Sequence, residues 1–424
     1  MDKALAVVVV ALVLVAAFSA FSFYQVQQLR SEVAGMAEEG ASREDVQSIA
    51  ESVQQVQEAI ANLSQAVAEL NTKISQTQGL GEAVQNLSAS IDSLKEYVSE
   101  EIAKLREELK YPLTLTDALG RSVTFTAPPK RIVCTAPSAT EIVFAVGAGN
   151  LVVGVDQFSN YPPAVVEGKE SGRIAVVGGF STVNVEKVAE LKPDVVFMVP
   201  GVQEKYVKAL ENLGVTVFVL WEGSVGDVYR SILVTGLITD HFSEAASLVQ
   251  NISERIAETH AAVMKYLNQT GQEPLKVYYE LSLDYWTVGS GSFINDIISL
   301  AGGVNIFANE SRPYFQASPE AVIEADPDVI ITTGMGGWFG PPQAIINKII
   351  SRPGWGNITA VREGKVYVLN GTLEDILVRP GPRIAAAVEV IARVLYPQAF
   401  GISEVPNIIN DTVAQEWGID LGAG

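Results

Sequence analysis

The sequence predicts an α/β protein of two lobes joined by one long helix, preceded by a membrane helix and a coiled-coil stalk. Three observations predict it. Residues 4–24 are almost uninterrupted apolar sequence. Residues 25–110 contain no proline and carry apolar residues at alternating spacings of three and four. Beyond Tyr111 short β-rich runs alternate with helical stretches.

The apolar run is broken only by Ser19 and Ser22. At ~1.5 Å per residue it covers roughly the ~30 Å hydrocarbon layer of a bilayer. Lys3 precedes it and Arg30 follows, an arrangement that allows the amino end to stay inside. A retained single-pass anchor is expected over residues 1–24, with a signal peptide cleaved near Val15-Ala16-Ala17 as the alternative. No cysteine follows, so a lipid anchor is not expected.

The stalk, 25–110, carries Val46, Ile49, Val53, Val56, Ile60, Leu63, Val67, Leu70 and Ile74 in heptad register. The register stumbles at Gly79-Leu80-Gly81 and resumes through Leu87, Ile91, Leu94, Val98 and Leu105. Such a stripe predicts self-association, with a hairpin or a helix packed on its own globular domain as alternatives. Tyr111-Pro112 stops the helix, because proline lacks the N–H and restrains the residue before it.

The 424 residues are 48% hydrophobic and 18% charged, enough apolar content to offset chain entropy in a large core. Net charge is −20, which repels phosphate backbones, so no nucleic-acid partner is expected. One cysteine, Cys134, and two histidines, His241 and His260, leave no material for an intrachain disulfide, a Cys-rich zinc site or a His-cluster metal site. Eight Asn-x-Ser/Thr acceptors start at Asn62, Asn86, Asn251, Asn268, Asn309, Asn357, Asn370 and Asn410. They predict an exported, glycosylated surface protein.

Within the globular part, Arg131–Cys134, Leu151–Val155, Val195–Val199, Val215–Leu220 and Lys276–Tyr279 read as strands. Between them a helix is expected over 243–268, capped by Ser243, its stripe formed by Leu248, Ile252, Ile256, Val263 and Leu267. That divides the chain into an amino-terminal lobe (111–242), a linking helix (243–268), a carboxy-terminal lobe (269–400) and a tail (401–424).

The lobes share an internal copy. Residues 185–195 align without a gap on 319–329 at a constant offset of 134, matching Glu186 with Glu320, Pro193 with Pro327 and Asp194 with Asp328. Asn184 pairs with Ser318 as helix caps, and Phe180 with Tyr314 as loop aromatics. Each copy therefore reads as aromatic loop, capped helix, then a Pro-Asp turn into a buried strand. Glu186 and Glu320 fall where a carboxylate is stabilised by the helix dipole. A repeated aromatic and carboxylate also predict a cleft with a symmetric rim.

Five segments stand in order around the long helix. They are Pro137-Ser138-Ala139-Thr140-Glu141, Asn160-Tyr161-Pro162-Pro163, Leu191-Lys192-Pro193-Asp194, Ala301-Gly302-Gly303-Val304-Asn305-Ile306-Phe307 and Arg379-Pro380-Gly381-Pro382-Arg383. From Leu113 to about Gly401 the chain resembles the cobalamin- and ferric-siderophore-binding solute receptors of ABC importers. That resemblance implies two α/β lobes joined by a rigid helix, with a corrinoid or ferric siderophore bound between them and no resident cofactor. It implies ligand contacts at Tyr161, Phe180, Trp286, Tyr314, Arg379 and Arg383, and contacts of Glu186 and Glu320 with basic residues of an ABC permease and its ATPase complex. Aromatic faces supply rigid contact area, and arginine can grip an anionic chelate.

Two other classes were open. An enzyme would need a motif that is missing: Gly147-Ala148-Gly149 follows a helical stretch rather than a strand, and Gly334–Trp338 lacks the Lys-Ser/Thr of a phosphate loop, so it reads as a flexible cleft loop. A non-transport adhesion protein, with the globe as a ligand-binding head on its stalk, is the alternative function.

Overall fold

The computed structural model describes residues 111–334 and 337–422. The expected membrane anchor, the stalk with its self-association, and the acceptors at Asn62 and Asn86 lie outside the described residues. Among the described residues no helix is long and apolar enough to cross a membrane.

A hairpin of β1 (Leu113–Thr116) and β2 (Ser122–Phe125) opens the domain. Then come β3 (Ile132–Cys134), β4 (Val152–Val155) and β5 (Ala175–Val176), a short hairpin of β6 (Gly178–Gly179) and β7 (Thr182–Val183), and β8 (Val195–Met198) and β9 (Val217–Val219). They form a five-stranded sheet in the order β5-β4-β3-β8-β9, parallel throughout, with β6 and β7 apart from it. Every residue of β3 and β8 is buried, as a parallel sheet covered on both faces requires. Cys134 is among them. Burial pushes its thiol far above the ordinary range, so it is a packing residue rather than a nucleophile.

The second sheet holds β10 (Lys276–Ser282), β11 (Trp286–Val288), β12 (Val304–Asn305), β13 (Tyr314–Gln316), β14 (Val329–Thr333), β15 (Val366–Leu369) and β16 (Ile408–Ile409). Its order is β13-β11-β10-β14-β15-β16, with β12 beside the start of β10. β14, β15 and β16 run parallel to β10, whereas β11 is antiparallel to β10 and β13 antiparallel to β11.

Helix Phe242–Thr270, 29 residues long, lies in the chain between the two sheets. It packs on helix Val225–Ile238 and on helix Ile384–Leu395. Ile252, Ile256, Val263 and Leu267 are buried along it, whereas Leu248 stays half-exposed. Its cap position is His241, two residues before Ser243: the His241 carbonyl accepts the Ala245 N–H at 3.0 Å, so the helix opens there without a side-chain cap. Gly271, at φ 69°, ends it by donating its N–H to Leu267.

The internal copy has one stereochemical reason. Helix Val185–Glu190 is capped by Asn184 and helix Pro319–Ala325 by Ser318, each side chain accepting a backbone N–H. Both helices are left through a non-glycine residue of positive φ at equivalent places, Lys192 (46°) and Asp326 (45°). Asp194 then accepts the N–H groups of Lys130 and Arg131 at 2.7 and 2.9 Å, and Asp328 accepts that of Lys276 at 2.7 Å. Arg131 donates to the carbonyl of Leu191 and Lys276 to that of Ala325, a cation on the negative end of each short helix. The Pro-Asp turn thus ties each helix to the entry of the neighbouring central strand.

The lobes meet beyond the carboxy-terminal ends of their strands. Glu141, 3% exposed on helix Pro137–Ala145, accepts two hydrogen bonds from Arg383 (2.8 and 2.6 Å) and one from Arg379 (3.2 Å). Asn160 adds bonds to Asp375 and Arg379, and Asp296 of the second lobe accepts the Val225 N–H at the start of a first-lobe helix. Replacing Glu141 by Ala should lower unfolding free energy by about 3–5 kcal/mol, because Arg383 would stay buried without a counter-charge. Urea titration measures it. Adding Arg383→Met should recover much of the loss, and a loss below about 1 kcal/mol would make the pair a surface-like contact.

Candidate functional site

The crevice at strand carboxy-termini is where α/β sheets place ligands. Here the loops after β3, β4 and β9 of the first lobe meet those after β11 and β15 of the second. The charge and shape of the site follow from how these loops are braced.

Phe180, at the tip of the β6–β7 hairpin, is 36% exposed. Gln203, which has no exposed surface, holds it: its amide donates to the carbonyls of Phe180 (2.9 Å) and Thr135 (2.8 Å), and its oxygen accepts from Thr135 Oγ1 and the Val199 N–H. One buried amide with all its capacity used ties the hairpin to the ends of two central strands.

Trp286 and Tyr314 are brought together by register. Val288 pairs with Tyr314 and Trp286 with Gln316, so the two aromatics share one face while Thr287 and Phe315 turn into the core. Trp286 is 40% and Tyr314 42% exposed, unusual for rings of that size. The turn that delivers Trp286 is braced from below. Arg352, stacked 4.4 Å from the rings of both Tyr285 and Trp355, makes two bonds to buried Glu280 and a third to the Leu283 carbonyl. No ring contact joins Phe180 to this pair among the described residues.

The remaining three expected ligand residues stand together, but turned inward. Tyr161 is half-buried beneath the Arg383 guanidinium, 4.1 Å from its ring centre. Arg383, 7% exposed, is committed to Glu141, and Arg379 to Glu141, Asp375, Asn160 and the Phe158 carbonyl. Open guanidinium groups are therefore not what the structure places there: Glu141 and Asp375 match both cations. Glu186 and Glu320 are exposed in the first turns of their helices, and neither joins an ion pair among the described residues.

Sequence reasoning assigned no role to four further residues. Phe158 (49% exposed) and Trp338 (86% exposed) add aromatic surface beyond the ends of β4 and β14. The Gly-rich setting of Trp338 signals a cleft loop, and Glu141, Arg379 and Arg383 all stand inside the ordered segments, but nothing local to those segments pairs them. Glu222 had no local signal at all. It follows β9, accepts one hydrogen bond from Ser138 at 2.7 Å, and loss of solvent pushes its carboxyl up to about 7. The Tyr314 phenol is raised chiefly by its own burial and further by the Glu222 charge, so the two groups are neighbours across the lobes. Among the described residues no group of three His, Cys, Asp or Glu side chains is placed to hold a metal ion.

Residues 132–373 match the profile of a family described as periplasmic binding protein. The chain is 32% identical over 304 residues to an uncharacterized ABC transporter substrate-binding lipoprotein, YvrC, of Bacillus subtilis, a match covering 70% of this chain and 90% of that one. It is 31% identical over 294 residues to a cobalamin-binding protein of Halobacterium salinarum, covering 67% and 73%. The crystal structure of the periplasmic vitamin B12 binding protein BtuF of Vibrio cholerae superposes with a TM-score of 0.51 at 28% identity, covering 64% of this chain and 98% of its own.

Glu222 gives the site a pH signature. Its folded chain stays protonated up to about pH 7, whereas the unfolded one ionises near the ordinary glutamate value, so the folded state binds more protons between them. Stability from this group is therefore full at low pH and lost as pH rises through 7. Wild type minus Glu222→Gln should lose up to about 3 kcal/mol between pH 4.5 and 8 in matched denaturant titrations. Parallel pH profiles for the two proteins would show that the carboxyl is ordinary.

Proposed function

The chain belongs to the periplasmic binding protein family, whose members bind solutes for transport rather than transform them, and from that membership we propose a corrinoid receptor of an ABC importer. It captures its ligand on the extracytoplasmic side, tethered by its amino-terminal segment, and delivers it to the permease. Tethering through an apolar helix and a self-associating stalk rests on the sequence of residues 1–110. Exposure of Asn251, Asn268, Asn309, Asn357 and Asn410, with Asn370 half-buried, supports glycosylation of an exported surface.

One observation carries the choice of ligand. Both arginines expected to serve an anionic chelate are already matched by carboxylates, Arg379 by Glu141 and Asp375 and Arg383 by Glu141, and Arg312 beside Tyr314 is matched by Glu310 at 2.7 Å. A tri-anionic ferric siderophore would meet arginines that are each already paired, with Glu222 in the wall. A corrinoid, broad and without that anionic load, is suited instead to rigid aromatic surface: Phe180, Trp286 and Tyr314, with Phe158 and Trp338 beside them. On this reading Tyr161, Arg379 and Arg383 shape the ligand site by joining the lobes. The long helix Phe242–Thr270 serves as the rigid link, and the relative of Halobacterium salinarum that binds cobalamin favours the same solute.

The test is a binding panel of cyanocobalamin, a ferric tris-catecholate and haemin followed by tryptophan fluorescence and calorimetry. Cyanocobalamin should bind, with Trp286→Ala and Tyr314→Ala each weakening it by about 1–3 kcal/mol. Binding of the catecholate alone would overturn the corrinoid assignment, and binding of none would favour an adhesive head.

Glu186 and Glu320 serve delivery. They repeat at equivalent, exposed places in the two lobes, free of ion pairs among the described residues, as contacts to permease cations require. The double change Glu186→Gln and Glu320→Gln should leave cyanocobalamin affinity unchanged and abolish most stimulation of the partner ATPase in reconstituted vesicles. Normal stimulation would reduce the two carboxylates to helix-dipole partners.

A further inference from the structure

We infer that segment 419–422 is a positioning strap: it leaves the second lobe, seats Tyr161 of the first, and through Tyr161 holds the Arg383–Glu141 pair that sets the angle between the lobes. This does not depend on which solute the cleft takes.

The segment starts from a firm base. β16 pairs with β15 in the second sheet, and Asp411 accepts the backbone N–H and side-chain hydroxyl of Thr372 at 2.8 and 2.6 Å, fixing helix Asp411–Glu416 there. Beyond that helix Ile419 and Leu421 are each 4% exposed, so the segment is packed down rather than trailing. Arg255 of the long helix, bidentate to Glu389 at 2.8 and 3.1 Å, gives its remaining bond to the Asp420 carbonyl at 3.0 Å. The Asp420 carboxylate accepts the N–H of Gly422 at 2.8 Å and bends the chain.

That bend delivers the Gly422 carbonyl to the Tyr161 hydroxyl, which donates to it. Position 422 admits only glycine. Its φ is 74°, and a Cβ there would stand 2.6 Å from the Tyr161 oxygen and 3.5 Å from Arg383. Tyr161 is thus held at two points, its hydroxyl by the strap and its ring face by the Arg383 guanidinium. Arg383 in turn points its Nε and Nη2 at Glu141. The connections form one unbroken series, Glu389–Arg255–Asp420, then Gly422–Tyr161–Arg383–Glu141, which begins on the second lobe and ends on the first. Release of Gly422 frees the Tyr161 ring to swing away, and water then reaches the ion pair, whose attraction falls with the rise in local dielectric. Tyr161 and Gly422 are positioning residues, acting on the cleft through Arg383.

The test uses the full chain without ligand. Lys208→Cys and Lys348→Cys, exposed on different lobes, carry spin labels, while buried Cys134 stays unlabelled. Pulsed-resonance distances are measured in the labelled parent, in Tyr161→Phe, which keeps an aromatic ring but removes the hydroxyl that Gly422 holds, and in Gly422→Val. Both variants should broaden the interlobe distance distribution about two-fold, and amide exchange over 158–161 and 381–384 should quicken roughly ten-fold through local opening. Exchange elsewhere in β3 and β14 should not move, which separates a strap from general destabilisation. An unchanged distribution in Tyr161→Phe, with its fold intact by circular dichroism, overturns the inference whether or not Gly422→Val folds. Because no ligand is present, that failure is independent of any failure of the corrinoid reading.

Discussion

Two arginines of the second lobe share one carboxylate of the first, and the arrangement of the cleft depends on that debt. Glu141 is taken out of water by helix Pro137–Ala145, where an unpaired charge would cost several kcal/mol. Arg383 and Arg379 neutralise it from across the lobes. Replacing such a pair by apolar groups would serve stability as well or better. Its use here is directional: bidentate geometry tolerates little rotation, so it specifies how two independently packed sheets face one another.

Around this fixed junction the aromatic surface is carried by internal braces rather than by its own packing. Phe180 depends on the buried amide of Gln203, and Trp286 on Arg352 clamped between Tyr285, Trp355 and Glu280. In both, a buried polar side chain bonds the backbone of a loop whose ring faces outward. Rings held in this way lose little conformational entropy when a ligand arrives, which is the advantage of a preformed site. The same logic explains the charge of the cleft. Arg379 and Arg383 are committed to holding structure, and the wall also carries aromatic surface and a carboxyl, Glu222, whose neutral form is favoured by burial.

The internal copy shows why some of this was legible in advance. The match of Val185–Val195 with Pro319–Val329 is a local matter: a cap, a first-turn carboxylate and a Pro-Asp turn are each dictated by neighbours within a few residues. Strand positions were legible for a like reason, since β3, β8 and β14 are apolar on both faces and stand out as short β-branched runs. The helix cap falls two residues earlier than expected because Ser243 is a good cap by type, while the backbone turn fixed by the His241 N–H on the Gly236 carbonyl already lets the His241 carbonyl accept the first helical bond. The arginines were read by chemical type as well, and type does not say who the partner is.

By itself, then, the sequence determined the α/β alternation, the two related halves, the long apolar-striped helix between them and the aromatic residues available to a ligand. These follow from periodicity and local chemistry, which act over one to four residues. Tertiary structure alone decided that Arg383 meets Glu141 across 242 residues of chain, that Trp286 and Tyr314 share a face of a sheet, and that Tyr161 is held by Gly422 across 261. Burial, strand register and counter-charge are properties of where distant segments come to rest, and no local pattern encodes them.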